Sequence, residues 1–487
     1  MNRRSFLTAG VGLAALALSP EALQAAAANQ MAGDWRLGFA DIEADIVRAP
    51  MRLLHGRPPP GLAGALYRNG SGKIRRPGRS ATHWFDGDGL IRAFRIHDGA
   101  ATLEARFVDT PKRRRDTAAD AVITPGFGTS SAPGASIGSP DSANAANISV
   151  LPMGEELWAL WEAGSPTVMD PQTLATREVK TLRPDLAGMP FLAHPRREPD
   201  GRVWNLGVNG DKAVVWRLSS KGALESADVI ELPRASYVHD FTATARHLII
   251  VLQPWVQQAM GQSYMDGLSW QPQLGTQVLV LDKADLSKRR LYDLPSFFCF
   301  HMGDAWEDGG GEIRFDACIA PDPSFPLQGA RNVLLGEETH GSEASRLAMI
   351  TLKPNGAADL VRTEMVAEFP RSDRRFAGQA RRFTVHATGL TPGRPLFDAV
   401  AVHDWKRNIA QRFSFGPSQM IEEAVFTARP GSTEEFDGWL LAPTLNLAAG
   451  ATELHVFDAR AVEAGPICAW RGAVALPVGL HGVFVAA

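Results

Sequence analysis

The chain has 487 residues, with 50 basic against 53 acidic side chains and a formal net charge of −3. So even a balance leaves no electrostatic footprint for nucleic acid or an acidic lipid surface, and no nucleic-acid partner is expected. Three cysteines, Cys299, Cys318 and Cys468, with no CxxC pair, are poor material for a disulfide framework.

In chain order, residues 2–8 read NRRSFLT and run into a weakly hydrophobic stretch from Phe6 to Leu18. This pattern predicts a twin-arginine export signal over 1–28, with the small residues Ala25 to Ala28 as the cleavage site. The stretch is shorter than the roughly 20 strongly apolar residues a membrane span needs. The expectation is engagement of the twin-arginine translocase during export, a periplasmic location, and one catalytic domain over 29–487. KRRR at Lys112 to Arg115 stands alone among the basic residues and reads as a solvated loop rather than a binding patch.

Beyond it, short apolar runs are broken by turn residues: NISVLPMGEELWALWEA, HLIIVLQP, TQVLVLD, EIRFDACIA, RLAMITL, RRFTVHAT, TELHVFDA and GVFVAA. With 46 Gly and 33 Pro spread throughout, this is the punctuation of an all-β chain. LPMGEELW and DPQTLAT read as hairpin and inter-blade turns. Two segments break the pattern. The Gly/Ser/Pro/Ala-rich stretch Thr124 to Asn147 reads as a loop or lid. Gln253 to Gln273, with aromatics and methionines among polar residues, suits a cap over an apolar tunnel or plain surface packing. The last strand, GVFVAA, is expected to pair inside the sheet system.

Four histidines stand in patterned apolar contexts: PFLAHP around His194, SYVHDFTAT around His239, FCFHMGDAWED around His301 and PVGLHGVFV around His481. Imidazole suits Zn, Cu, Fe and Ni. Zinc fingers and HExxH enzymes bunch their ligands, whereas these four are far apart in sequence. A single metal held by all four requires a fold that brings distant segments to one axis, as the inner strands of a β-propeller do. Cys299, two residues from His301, is read as a small buried hydrophobe. The eight other histidines, His55, His83, His97, His247, His340, His386, His403 and His455, are read as ordinary surface or core residues.

LYRNGSG at Leu66 to Gly72, HWFDGDGLIRAFRI at His83 to Ile96, ELWALWEAGSPTVMDPQTLAT at Glu156 to Thr176, AEFPRSDRRFAGQARR at Ala367 to Arg382 and EEAVFTARPGSTEEFDGWLL at Glu422 to Leu441 complete an ordered set with the four histidine contexts. From Gly61 to the C-terminus the chain resembles the carotenoid cleavage oxygenase family, which includes the retinal-pigment-epithelium isomerase and the lignostilbene dioxygenases. The resemblance implies a seven-bladed β-propeller with a loop and helical cap over a central metal site. It implies one Fe(II) per chain, with His194, His239, His301 and His481 as the ligating and catalytic residues. Glu162, Glu368 and Glu423 match the carboxylates that orient the imidazoles and raise their basicity; at the last the family's usual Glu-Pro step is Glu-Ala.

What the resemblance implies chemically is oxidative cleavage by O2 of a conjugated carbon–carbon double bond in an apolar carotenoid or apocarotenoid, giving two carbonyl products without an organic cofactor. A stilbene-type phenolic alkene is the alternative substrate. Only four tyrosines occur, and no lysine lies between Lys112 and Lys180, which counts against a Tyr–Lys phenol site. From a different class, a non-catalytic ligand-binding propeller is also open. An exposed apolar patch at the tunnel mouth would signal contact with a membrane surface.

Overall fold

The computed structural model describes residues 33–487 apart from 136, 260, 338 and 340–343. The predicted signal at 1–28 and His340 lie outside the described residues. Seven antiparallel sheets of four to six strands are arranged as the blades of a β-propeller, and one two-stranded ribbon stands apart from them.

Within a blade, burial falls from inside to outside. His247–Leu252 is buried at five consecutive positions, because both of its faces pack against neighbouring blades. At the outer edge half of Leu224–Glu231 is exposed, including the charged Glu225, Asp228 and Glu231, which discourages pairing with another molecule. The apolar contacts lie between blades. Leu206, Val215, Leu248 and Leu279 join the sheet of Val203–Asn209 to that of His247–Leu252. Ile249, Val280, Phe315 and Ile350 continue the core into the next blade.

Both ends of the chain close the ring. Gly482–Ala486 pairs with Gly64–Arg68, setting Gly482 opposite Arg68 and Val483 opposite Tyr67. One blade over, Arg52–Gly56 adds to Cys468–Arg471. The final strand therefore does pair inside the sheet system, and two adjacent blades combine N-terminal with C-terminal strands. The predicted turn at LPMGEELW is present: Met153 faces Glu156, with Gly154 at φ 58°, a left-handed conformation that favours glycine.

All three cysteines are buried and free. Burial pushes the Cys299 thiol well above its usual range, in keeping with its reading as a small hydrophobe. The KRRR run is not a solvated loop. Pro111–Ala118 is a helix, opened by the Thr110 hydroxyl accepting from Arg113 N at 3.1 Å. Its Lys112 is buried, with Nζ 3.1 Å from Asp88 Oδ1 and 2.9 Å from Asp116 Oδ2. The Thr-Pro start was the signal that a count of charges overlooked.

Candidate metal centre

All seven blades contribute one residue each to a single cluster on the propeller axis. His194 and His239 lie just ahead of the short inner strands Arg196–Arg197 and Thr242–Ala243, two and three residues before them. His301 lies within Phe298–Glu307, and His481 precedes Gly482–Ala486. The three remaining blades supply carboxylates. Glu162 follows Glu156–Leu160, Glu368 opens Glu368–Arg371, and Glu423 lies between Gln419–Ile421 and Val425–Ala428. Inner strands converge where outer strands diverge, so residues hundreds apart in sequence meet here.

The four imidazoles offer ring nitrogens that all lie within 4.8 Å of one another. His194 Nε2 is 3.0 Å from His239 Nε2. Around them, His301 Nδ1 donates to Glu368 Oε2 at 2.6 Å, His481 Nδ1 donates to Glu423 Oε1 at 2.9 Å, and His239 Nδ1 donates to Glu162 Oε1. Among the described residues no carboxylate bonds His194. Each carboxylate fixes its partner with the proton on Nδ1, so the inward Nε2 atoms carry lone pairs. Such lone pairs cannot satisfy one another, and His301 Nε2 is buried without a partner. A cation answers both facts, and an all-imidazole donor set fits a borderline transition metal.

The electrostatics differ from ring to ring. Burial is the largest influence on His481 and holds it down to about 3 despite the nearby Glu423. Burial, followed by the charges of the other three imidazoles, holds His194 well below the usual histidine range. His239 is also pulled down by burial, but the charge and hydrogen bond of Glu162 outweigh this and leave it raised. Glu423 lies well below the usual carboxylate range: burial alone would raise it, and Arg371, His481 and Arg68 together overcome that.

Two carboxylates have further anchors. Glu368 accepts from Ser345 Oγ at 3.0 Å and from Phe369 N at 3.1 Å. Phe369 has φ 59°, an unfavourable left-handed conformation for a bulky residue, at a register shift between Glu368 and Arg371. That turn of the backbone sets the Phe369 ring against His301 and His481, with centroids 5.2 and 5.3 Å away. Glu423 accepts from Arg68 Nη1 at 3.0 Å, Arg371 Nε at 2.5 Å and Gly482 N at 2.8 Å. Sequence reading passed over Arg68, Arg371 and Ser345. LYRNGSG carries part of the family resemblance, but nothing local ties its arginine to a glutamate 355 positions away.

On one side the imidazoles border a cavity of about 930 Å³, walled mostly by apolar side chains including Phe85, Phe127, Phe298, Phe300 and Phe397. His239, His301 and His481 reach it. On the other side is a small polar pocket of about 70 Å³ lined by His194, Arg196, Asp240, Asp304 and Arg371. The segment 124–147 forms part of the large cavity's wall through Phe127, Ile137 and Ala143. The segment 253–273, which contains the ribbon Trp255–Gln257 and Leu268–Trp270, contributes Gln257, Ser263 and Tyr264. Both segments therefore cover the cavity, as a cap does.

Comparison with known proteins agrees with this architecture. The family model for retinal pigment epithelial membrane protein matches residues 39–486. The apocarotenoid-15,15'-oxygenase of Synechocystis sp. is 29% identical over 92% of this chain and 93% of its own length. Resveratrol cleavage oxygenase 1 of Aspergillus fumigatus is 27% identical over 91% and 93%. An isoeugenol monooxygenase of Pseudomonas putida is 26% identical over 88% and 93%. Among solved structures, a point mutant of the Synechocystis apocarotenoid oxygenase superposes with a TM-score of 0.84 at 24% identity, covering 93% of this chain and 98% of that one. A cobalt-substituted form of that enzyme gives 0.83 over the same coverage. The chain belongs to the retinal pigment epithelial membrane protein family, the carotenoid cleavage oxygenases.

Proposed function

We propose that this chain is a non-haem Fe(II) dioxygenase that cleaves a conjugated carbon–carbon double bond of a carotenoid or apocarotenoid to two carbonyl products. The observation that carries the reading is the convergence of four imidazoles, three of which border a large, mostly apolar cavity. His194, His239, His301 and His481 would hold the metal through Nε2. Four neutral ligands would leave Fe(II) its full charge, and the bound ion would supply the redox chemistry that engages O2.

The chain's own residues do the rest. Glu162, Glu368 and Glu423 keep the Nδ1 protons of three imidazoles and fix the ring planes. Phe300 and Phe369 pack on these rings, with Phe300 5.0 Å from His239, and exclude water where an alkene would lie. The aromatic wall offers flat faces to a flat polyene, and binding there is driven by burial of apolar area.

A stilbene-type phenolic alkene is the second reading. Tyr237 and Tyr264 on the cavity wall and the resveratrol-cleaving relative favour it, while the absence of lysine among the described lining residues disfavours it. Two exposed apolar side chains that line the cavity, Ile137 and Leu390, support contact with a membrane surface and uptake of dissolved substrate. Export to the periplasm through residues 1–28 is part of the same proposal, resting on the twin-arginine pattern, and cell fractionation of the full chain with and without Arg3→Lys and Arg4→Lys tests it.

The deciding experiment is anaerobic metal analysis of residues 29–487 followed by oxygen uptake with an apocarotenal and with a hydroxystilbene. One iron per chain and uptake with the apocarotenal support the leading reading. Uptake with the stilbene alone replaces it by the second, and a chain that takes up no iron overturns both.

A further inference from the structure

Each carboxylate that holds an imidazole is itself held. Glu423 has two guanidinium groups and an amide, and Glu368 has a hydroxyl and an amide. For Glu162, among the described residues, the only donor besides His239 is Tyr237. Its hydroxyl lies 2.9 Å from Oε1 and 3.2 Å from Oε2, and 3.2 Å from His239 Nδ1. Tyr237 is 2% exposed and two residues before His239. Its ring is fixed by Trp255, 5.0 Å away edge-on, and by Phe127 at 5.6 Å.

From this arrangement we infer that Tyr237 is a positioning residue for the metal centre, anchoring the carboxylate of Glu162 and through it the ring of His239. The inference rests on the reading that the four histidines hold a metal. A glutamate side chain with one partner retains freedom about its torsions, and its hold on the imidazole suffers accordingly. The tyrosine closes a three-membered network of phenol, carboxylate and imidazole in which no member is free to turn alone. Because Tyr237 also lines the large cavity, the network connects the substrate's seat to a metal ligand. A residue two positions before a ligand reads in sequence as one more wall aromatic, and only the 75-residue link to Glu162 distinguishes it.

Cobalt(II) titration of the metal-free protein, followed in the visible ligand-field bands and by competition with a chelator, tests the inference without turnover. Y237F is expected to unfold at the midpoint of the metal-free parent yet bind cobalt about tenfold more weakly, with shifted bands, the low end of the range for outer-layer partners. E162Q is expected to lose at least as much. The double variant should then be no weaker than E162Q alone, since a residue acting through Glu162 has nothing further to lose. Parental affinity and bands in Y237F, or losses that add in the double variant, would overturn the role of Tyr237 while leaving the metal site standing. A parent chain that binds no cobalt would overturn the metal reading and this inference together.

Discussion

Glu423 Oε1 lies 2.9 Å from His481 Nδ1, and the second oxygen of the same carboxylate lies 3.0 Å from Arg68 Nη1. One buried charge thus serves the metal site and the closure of the ring, because Arg68 is on the strand that pairs with Gly482–Ala486. E423Q leaves Arg68, fully buried, and Arg371 with one carboxylate fewer. The expected cost is about 3–5 kcal/mol in urea unfolding, with loss of metal affinity of about 10–100-fold. E368Q should lose similar affinity at much smaller cost in stability, because Glu368 faces a serine and an amide rather than two guanidinium groups. Equal destabilisation by the two variants would show that Arg68 does not depend on Glu423.

H301A removes an imidazole that touches all three others, with ring centroids 5.2, 5.1 and 4.7 Å from those of His194, His239 and His481. The variant should carry almost no metal by elemental analysis and show no oxygen uptake, while its circular dichroism matches that of the metal-free parent. The blade it belongs to keeps its core of Phe315, Ala317 and Ile350. Turnover near that of the parent would sink the assignment of His301.

Which parts of this were legible in the sequence follows from what each signal depends on. Strands such as His247–Leu252 and Gly482–Ala486 announce themselves because continuous apolar runs between turn residues have few other solutions. The four histidines were found through their contexts, and the structure brings them together. Legibility stops where a residue's role depends on distant partners. Glu422, next to Glu423 in sequence, bonds Arg68 and Arg92 rather than an imidazole. Only Glu423 bonds an imidazole, and Arg68 joins the two glutamates by bonding both. Lys112 was misread for a related reason: one run of four basic residues contains both a buried ion pair and side chains open to solvent.

The Glu422 network predicts an acid-labile fold. Arg92 Nη1 and Nη2 donate to Glu422 at 2.6 and 2.9 Å, and Arg68 Nε donates at 3.0 Å. Burial would raise this carboxylate, but Arg92 and then Arg68 outweigh it and leave its folded value lowered. A depressed folded value means the stabilisation is fully present above the unfolded value of about 4.3 and declines as pH falls from there through the folded value. Urea midpoints measured from pH 6 to pH 3 should therefore drop. E422Q should be less stable at pH 6, and its midpoint should fall less over the acid interval. A parallel fall in parent and variant would remove Glu422 from the account.

Ile137 and Leu390 are 45% and 41% exposed although both line the cavity, and no helix among the described residues is long and apolar enough to cross a membrane. Exposed apolar side chains at a cavity mouth lose water when they meet a lipid surface, at about 25 cal/mol per Å² of area covered. I137D combined with L390D should reverse that gain, since each introduces a charge that must stay hydrated. Sedimentation with neutral phosphatidylcholine vesicles should show binding by the parent and several-fold less by the variant. Turnover of vesicle-dissolved substrate should fall in step, while turnover in detergent solution stays near that of the parent. An equal loss in both media would place the defect in the cavity itself, and unchanged sedimentation would mean that this rim does not meet the membrane.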